Sequence, residues 1–152
     1  MHTFNLFADY FQFYLQDEAI DSDLSDSWTD EAVTRLLAVA PGAVGVGTVR
    51  NMEVPVTLEM FASEPPLNVM AYDHIVEGSL SVAGKNLVIA GCTDYFPEAA
   101  RIQIEPGDYR VRACFSDLES LSEDGLDGED RYHLQLWPAP LADVMVVKQR
   151  LG

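Results

Sequence analysis

Apolar and polar residues alternate along most of this chain, and the alternation predicts strands. From Thr3 to Leu15, Phe4, Leu6 and Ala8 share one face, and then the phase slips so that Phe11, Phe13 and Leu15 share the next. A one-residue slip in a period-2 pattern predicts either a bulge in one long strand or two strands at a bend. A different period follows. Thr29 is placed as an N-cap, with Asp30 and Glu31 in the first turn, and Ala32, Leu36, Val39 and Ala40 have helical spacing. This predicts one helix over 29–40, stopped by Pro41-Gly42.

After it the pattern returns to period 2. Val44/Val46/Thr48 alternate, as do Val54/Val56/Leu58/Met60. Leu80/Val82 and Leu87/Ile89 flank Ala83-Gly84-Lys85-Asn86, which predicts a hairpin. Ile102/Ile104 are expected to meet Tyr109/Val111/Ala113/Phe115 across Glu105-Pro106-Gly107-Asp108. Tyr132/Leu134/Leu136 and then Val144/Val146 complete the set. Many short strands joined by glycine and proline turns predict a mostly β protein, an antiparallel β-sandwich with one short α-helix in its N-terminal third. The 152 residues suit a single domain spanning 1–152.

Charge narrows the partners. Nine Lys and Arg against 25 Asp and Glu leave a net −16, with an isoelectric point near 4.2. Such a surface repels nucleic acid and anionic lipid, because neither can be held without a basic footprint. A basic protein partner is attracted instead. No apolar run approaches the roughly 18–20 residues that span a bilayer. Met1 to Asp9 has no basic stretch ahead of its apolar residues, so a secretory signal is not expected. A cytoplasmic location follows.

Catalytic chemistry finds little support. His2, His74 and His133 have no nearby Ser or Cys in an elbow-like glycine context, and His133 falls out of phase with Leu134 and Leu136, on a solvated face. Gly42, Gly45 and Gly47 lie in a β pattern with no helix after them, so they read as relief of crowding beside a neighbouring element, not as a phosphate loop. The acidic, glycine-containing stretch Asp124–Asp130 has ligand chemistry that Ca²⁺ accepts, but lacks the ordering of an EF-hand loop. No metal and no cofactor are expected. Cys92 and Cys114, both in apolar alternating contexts, read as buried free thiols, a disulfide between strands being the lesser alternative.

The acids are unevenly spread. Residues 17–31 carry Asp17, Glu18, Asp21, Asp23, Asp26, Asp30 and Glu31 with no Lys or Arg. Residues 117–130 carry Asp117, Glu119, Glu123, Asp124, Asp127, Glu129 and Asp130, again with no basic residue. Fourteen of the 25 acids thus sit on two loops. Either the loops are solvated and aid solubility, or they form an anionic patch that meets a basic protein. On the second reading the partner-binding residues are Asp117, Glu119, Glu123, Asp124, Asp127, Glu129 and Asp130, with Asp21, Asp23, Asp26 and Trp28. Trp28 is placed either to staple the start of the helix into the core or to stand exposed as an interface anchor. Arg50-Asn51 reads as a turn with a structural ion pair.

Several motifs carry a resemblance. Phe11-Gln12-Phe13-Tyr14-Leu15-Gln16-Asp17, Trp28-Thr29-Asp30-Glu31-Ala32, Pro41-Gly42-Ala43-Val44 and Arg50-Asn51 resemble the competence protein J family, as do Pro106-Gly107-Asp108-Tyr109 and Asp130 with Tyr132. The likeness runs in order over about residues 10–136. Two departures stand out, a longer acidic loop at 117–130 and an extension past Leu136. The family includes the inhibitor of a bacterial nuclease of DNA uptake. The resemblance therefore implies an acidic cytosolic protein that binds and blocks a nuclease, without catalysis of its own, and the charge makes a basic nuclease or other basic protein the expected partner. The alternative is an interaction or accessory β-sandwich with no nuclease partner, acidic for solubility.

Overall fold

The slip of phase after Ala8 is where the chain changes sheet in the computed structural model, which describes residues 1–151. β1 (His2–Phe7) and β2 (Gln12–Asp17) are separated by a 3-10 turn at Asp9–Phe11. β1 pairs with β5 (Glu53–Met60), whereas β2 lies between β4 (Ala43–Gly47) and β7 (Asn86–Gly91). Of the two readings of the slip, the bend is the one realised.

The remaining strands are β3 (Leu37–Ala40), β6 (His74–Val82), β8 (Ala100–Gln103), β9 (Gly107–Ser116), β10 (Arg131–Pro138) and β11 (Met145–Lys148). One sheet has the order β1-β5-β10-β9-β6-β11 and the other β3-β4-β2-β7-β8. Every pair is antiparallel except β5 with β10. The predicted sandwich is present.

Two predicted hairpins are not hairpins. β6 and β7 flank Ala83–Lys85 but belong to different sheets, as do β8 and β9 around Glu105-Pro106. Period-2 alternation reports which side chains face a core, and strands on opposite sheets face the same core. At the first of these arches, the Asp17 carboxylate accepts hydrogen bonds from the backbone N–H groups of Ala83 (2.7 Å) and Gly84 (3.1 Å), donors that a hairpin ladder would otherwise occupy.

The helix is shorter than predicted. Thr29 caps it as expected, its hydroxyl accepting from the Ala32 N–H at 3.2 Å, but α1 covers only Asp30–Arg35. Leu36 turns the chain at φ 62°, and Leu37–Ala40, expected as helix, pair with Ala43–Val46 as a true hairpin. A short helix makes few internal bonds per residue fixed, and the ladder to β4 satisfies the backbone of 37–40 better.

The core lies between the sheets. Phe13, Leu15, Val44, Val46, Leu87 and Ile89 from one sheet meet Val56, Leu58, Val111, Phe115, Leu134 and Leu136 from the other. Phe13, Tyr132, Phe115 and His74 pack edge to face in succession, with centroids 6.0, 5.5 and 5.1 Å apart. Outside the larger sheet, Glu77 bridges Arg110 (3.1 Å) and Arg112 (3.0 Å), and Arg112 stands over the Trp137 ring at 4.7 Å. The thiols differ. Cys114 is buried as predicted, and burial pushes it up to about 12, whereas Cys92, expected to be buried, is exposed just beyond β7. No helix among the described residues is long and apolar enough to cross a membrane.

Candidate protein-docking site

The glycines of β4 make room for what packs across them. A Cβ at Gly45 would stand 2.8 Å from the Trp28 ring, and one at Gly47 would stand 3.0 Å from the Leu36 side chain. Crowding therefore explains Gly45 and Gly47. Trp28 is half-buried against this strand, between its two predicted roles, and its indole nitrogen has no hydrogen-bond partner among the described residues.

Trp28 and Leu36 form part of a groove of about 790 Å³. Its other walls are Tyr10 and Phe11 from the β1–β2 turn, Gln12 at the start of β2, Ser25, Val33 from α1, Gly47–Val49, Leu118, Leu121 and Arg150. The two acidic segments therefore meet at one place, since Ser25 and Trp28 belong to the first and Leu118 and Leu121 to the second. Asp117 and Glu119 line an adjoining hollow with Lys148 and Arg150, and Asp21 and Asp23 line another that shares Gln12, Ser25 and Trp28 with the groove. The groove is mainly apolar, and carboxylates line the two hollows that share residues with it.

Its backbone is strained. The non-glycine residues with positive φ among those described are Tyr10 (59°), Phe11 (60°), Leu36 (62°) and Asp117 (57°), and all four line the groove or the hollow beside it. Such conformations cost on the order of 1–3 kcal/mol each and persist where surrounding structure enforces them. Here the Phe11 carbonyl accepts from the Thr48 N–H (2.9 Å), and the Phe11 N–H donates to Ala8 (3.1 Å). Tyr10, Phe11 and Val33 nonetheless leave 71%, 52% and 57% of their surface to solvent.

The predicted site residues divide. Asp21, Asp23, Asp26, Asp117, Glu119, Glu123, Asp124, Asp127 and Glu129 are exposed. Hydrogen bonds from the Ser25 N–H and then its hydroxyl hold Asp23 below the usual carboxylate range. The Ser122 hydroxyl and then the Leu126 N–H do the same for Asp124. Glu123, Asp124 and Asp127 surround a separate shallow hollow with Ser122, apart from the groove.

Asp130 is the correction. It is fully buried, lies 2.9 Å from Arg50 and accepts a hydrogen bond from the Tyr132 hydroxyl at 2.7 Å, so it presents nothing to a partner. That hydroxyl accepts in turn from the Val49 N–H at 3.0 Å. Arg50, Asp130 and Tyr132, three motif residues, thus form one internal cluster that fastens the end of the 117–130 loop behind the groove. The structural ion pair expected of Arg50 is present.

Reasoning from the sequence missed Tyr10, Phe11, Val33, Leu118 and Leu121. The phase slip pointed at Tyr10, which falls between the two alternations, whereas Phe11, expected on one face with the buried Phe13 and Leu15, stands exposed in the 3-10 turn ahead of β2.

A buried histidine ties Arg150, which lines the groove, to the end of α1. The His74 Nε2–H donates to the Arg35 carbonyl at the end of α1 (2.7 Å), and Nδ1 accepts from the Arg150 N–H (3.1 Å). Burial holds this ring below its ordinary pKa, the Arg35 carbonyl partly opposes that shift, and the Arg150 charge adds to it. His133, placed on a solvated face, is half-buried and 2.8 Å from Glu59. No group of three or more His, Cys, Asp or Glu among the described residues is arranged to hold a metal ion.

No protein-family model matches the chain, and no curated protein is significantly similar to it. Among solved structures it is similar to ComJ, described as an inhibitor of the DNA degrading activity of NucA, from Bacillus subtilis. The TM-score is 0.71 at 22% identity, over 91% of this chain and 96% of that one. It is also similar to a protein described as crocagin biosynthetic gene J, with a TM-score of 0.59 at 18% identity and the same coverage. These likenesses are of fold.

Proposed function

We propose that this chain is a non-catalytic inhibitor that docks on a basic nuclease through the groove and the acidic hollows beside it. The observation that carries the reading is the fold, shared over nearly the whole chain with a protein described as inhibiting a DNA-degrading activity. Charge supports it. A nuclease keeps cations where it grips phosphate, and a net −16 surface with carboxylates in the hollows adjoining one groove complements such a site. The exposed carboxylates speed encounter, while the apolar walls exclude water from the contacts that retain the partner. The site of action is the cytoplasm, and neither metal nor cofactor takes part.

A second reading has one observation in its favour. The same sandwich occurs in a protein named for a biosynthetic gene, so the fold is compatible with an accessory role that involves no nuclease. The two are separated by titrating the protein into DNA-degradation assays with the basic nucleases of its own host. Stoichiometric loss of degradation, relieved by salt, is the expected result. Undiminished degradation by every such nuclease overturns the inhibitor reading and leaves the accessory one.

A further inference from the structure

We infer that the groove is a receptor for one protruding segment of a cationic protein, an apolar side chain flanked by Lys or Arg. The inference rests on the inhibitor reading for the partner's identity, but its physical basis is local. Tyr10, Phe11 and Val33 expose apolar surface side by side with Trp28, Leu118 and Leu121, which line the same groove. Grouped exposure of this kind marks a binding site more often than scattered exposure does. Tyr10 and Phe11 do so on a backbone that glycine would adopt without strain, so these positions carry large side chains against their conformational preference.

Charge selects the occupant. Asp21 and Asp23 lie beyond one part of the groove, and Asp117 and Glu119 beyond another, so cations flanking an inserted side chain would meet carboxylates. The molecule already places a guanidinium-bearing residue there, for Arg150 lines both the apolar groove and the hollow with Asp117 and Glu119. A second copy of this chain, at net −16, is repelled from the same place.

The test uses the intact ¹⁵N-labelled protein and three peptides at low salt. These are Lys-Arg-Phe-Lys-Arg, the equally charged Lys-Arg-Ser-Lys-Arg, and the acidic Glu-Asp-Phe-Glu-Asp. The readout is the indole N–H signal of Trp28, with Trp137 as internal control because it packs under Arg112 outside the other sheet. The cationic Phe peptide should move Trp28 and leave Trp137, and bind at least about tenfold more tightly than either control. Equal binding of the Ser peptide reduces the site to charge alone, and equal binding of the acidic peptide reduces it to apolar contact alone. Either result overturns the inference, as does an unmoved Trp28.

Variants supply the second arm. Tyr10→Gly and Phe11→Gly keep the positive φ and should melt no lower than wild type, yet bind the Phe peptide at least about tenfold more weakly. Should either melt lower, Val33→Ser on the exposed face of α1 serves in its place, with the same weakening expected. Unchanged affinity in a folded variant overturns the inference. So does a dimer of the wild type that Tyr10→Gly dissolves, since the occupant is then a second copy. Peptide binding at Trp28 without inhibition of any nuclease upholds the groove while the inhibitor reading fails. Nuclease inhibition unaltered by these variants does the reverse.

Discussion

Arg50 and Asp130 meet at 2.9 Å with side chains 10% and 0% exposed, and the contact ties the loop ahead of β5 to the last residue of the 117–130 loop. Removing one partner strands the other charge inside the protein. Asp130→Asn should therefore lower stability by about 3–5 kcal/mol in denaturant melts. Replacing both, as in Arg50→Met with Asp130→Leu, should cost clearly less than the two single changes summed, because no buried charge remains. Additive losses would show that the pair acts through separate neighbours.

Rim charge should act on encounter. Neutralising Asp21, Asp117 and Glu119 to Asn or Gln should slow association with the nuclease and flatten its dependence on salt. Each change should cost about 1 kcal/mol or less, since exposed charges are screened. Glu123 and Asp127, which surround a separate hollow, should matter less to the association rate. Stability should hold or rise slightly as like charges are removed. Stopped-flow association at two salt concentrations measures both effects.

His74 sets a pH dependence. Its folded pKa lies below the ordinary 6.5, so in the window between the two the unfolded chain takes up a proton that the folded chain refuses. Its contribution to stability is full above about pH 6.5 and falls as pH drops through that window. Protonation of Nδ1 would also remove the acceptor that the Arg150 N–H uses. His74→Gln should be less stable at about pH 7.5, yet should lose less than wild type between there and about pH 5. Thermal melts of both proteins across that range decide it.

The thiols should react in two steps. Cys92 is exposed and should be labelled by a thiol reagent in the native protein, slowly, because burial of the sulfur and the Asp9 charge raise its pKa. Cys114, at about 12, should react only on unfolding. Mass spectrometry of native and denatured samples separates one adduct from two.

The strands, the sandwich and the Thr29 cap were legible because each rests on local periodicity or on one side chain bonding its own neighbourhood. Sheet membership was not. Leu80 and Leu87 alternate identically whether their strands pair or face one another, and the Asp17 carboxylate that settles the arch comes from far along the chain. Leu37–Ala40 carried a helical spacing that pairing with β4 overrode. Within the site, both acidic loops were visible as composition. Asp130 nevertheless reads like its exposed neighbours until Arg50 and Tyr132 close around it, and the apolar walls beside Tyr10 come from distant segments that no motif joins.

The groove draws its walls from the β1–β2 turn, α1, the end of β4, the 117–130 loop and Arg150. It therefore has no precursor in any partly folded stretch of the chain. A nascent or incompletely folded molecule would carry the acidic loops without the pocket between them, and would attract cationic proteins without holding them. On the proposed function, capacity to retain a partner would arise only as both sheets close, and long-range β pairing of this kind is the slow part of folding. Binding activity would thus report complete folding more faithfully than secondary-structure content does.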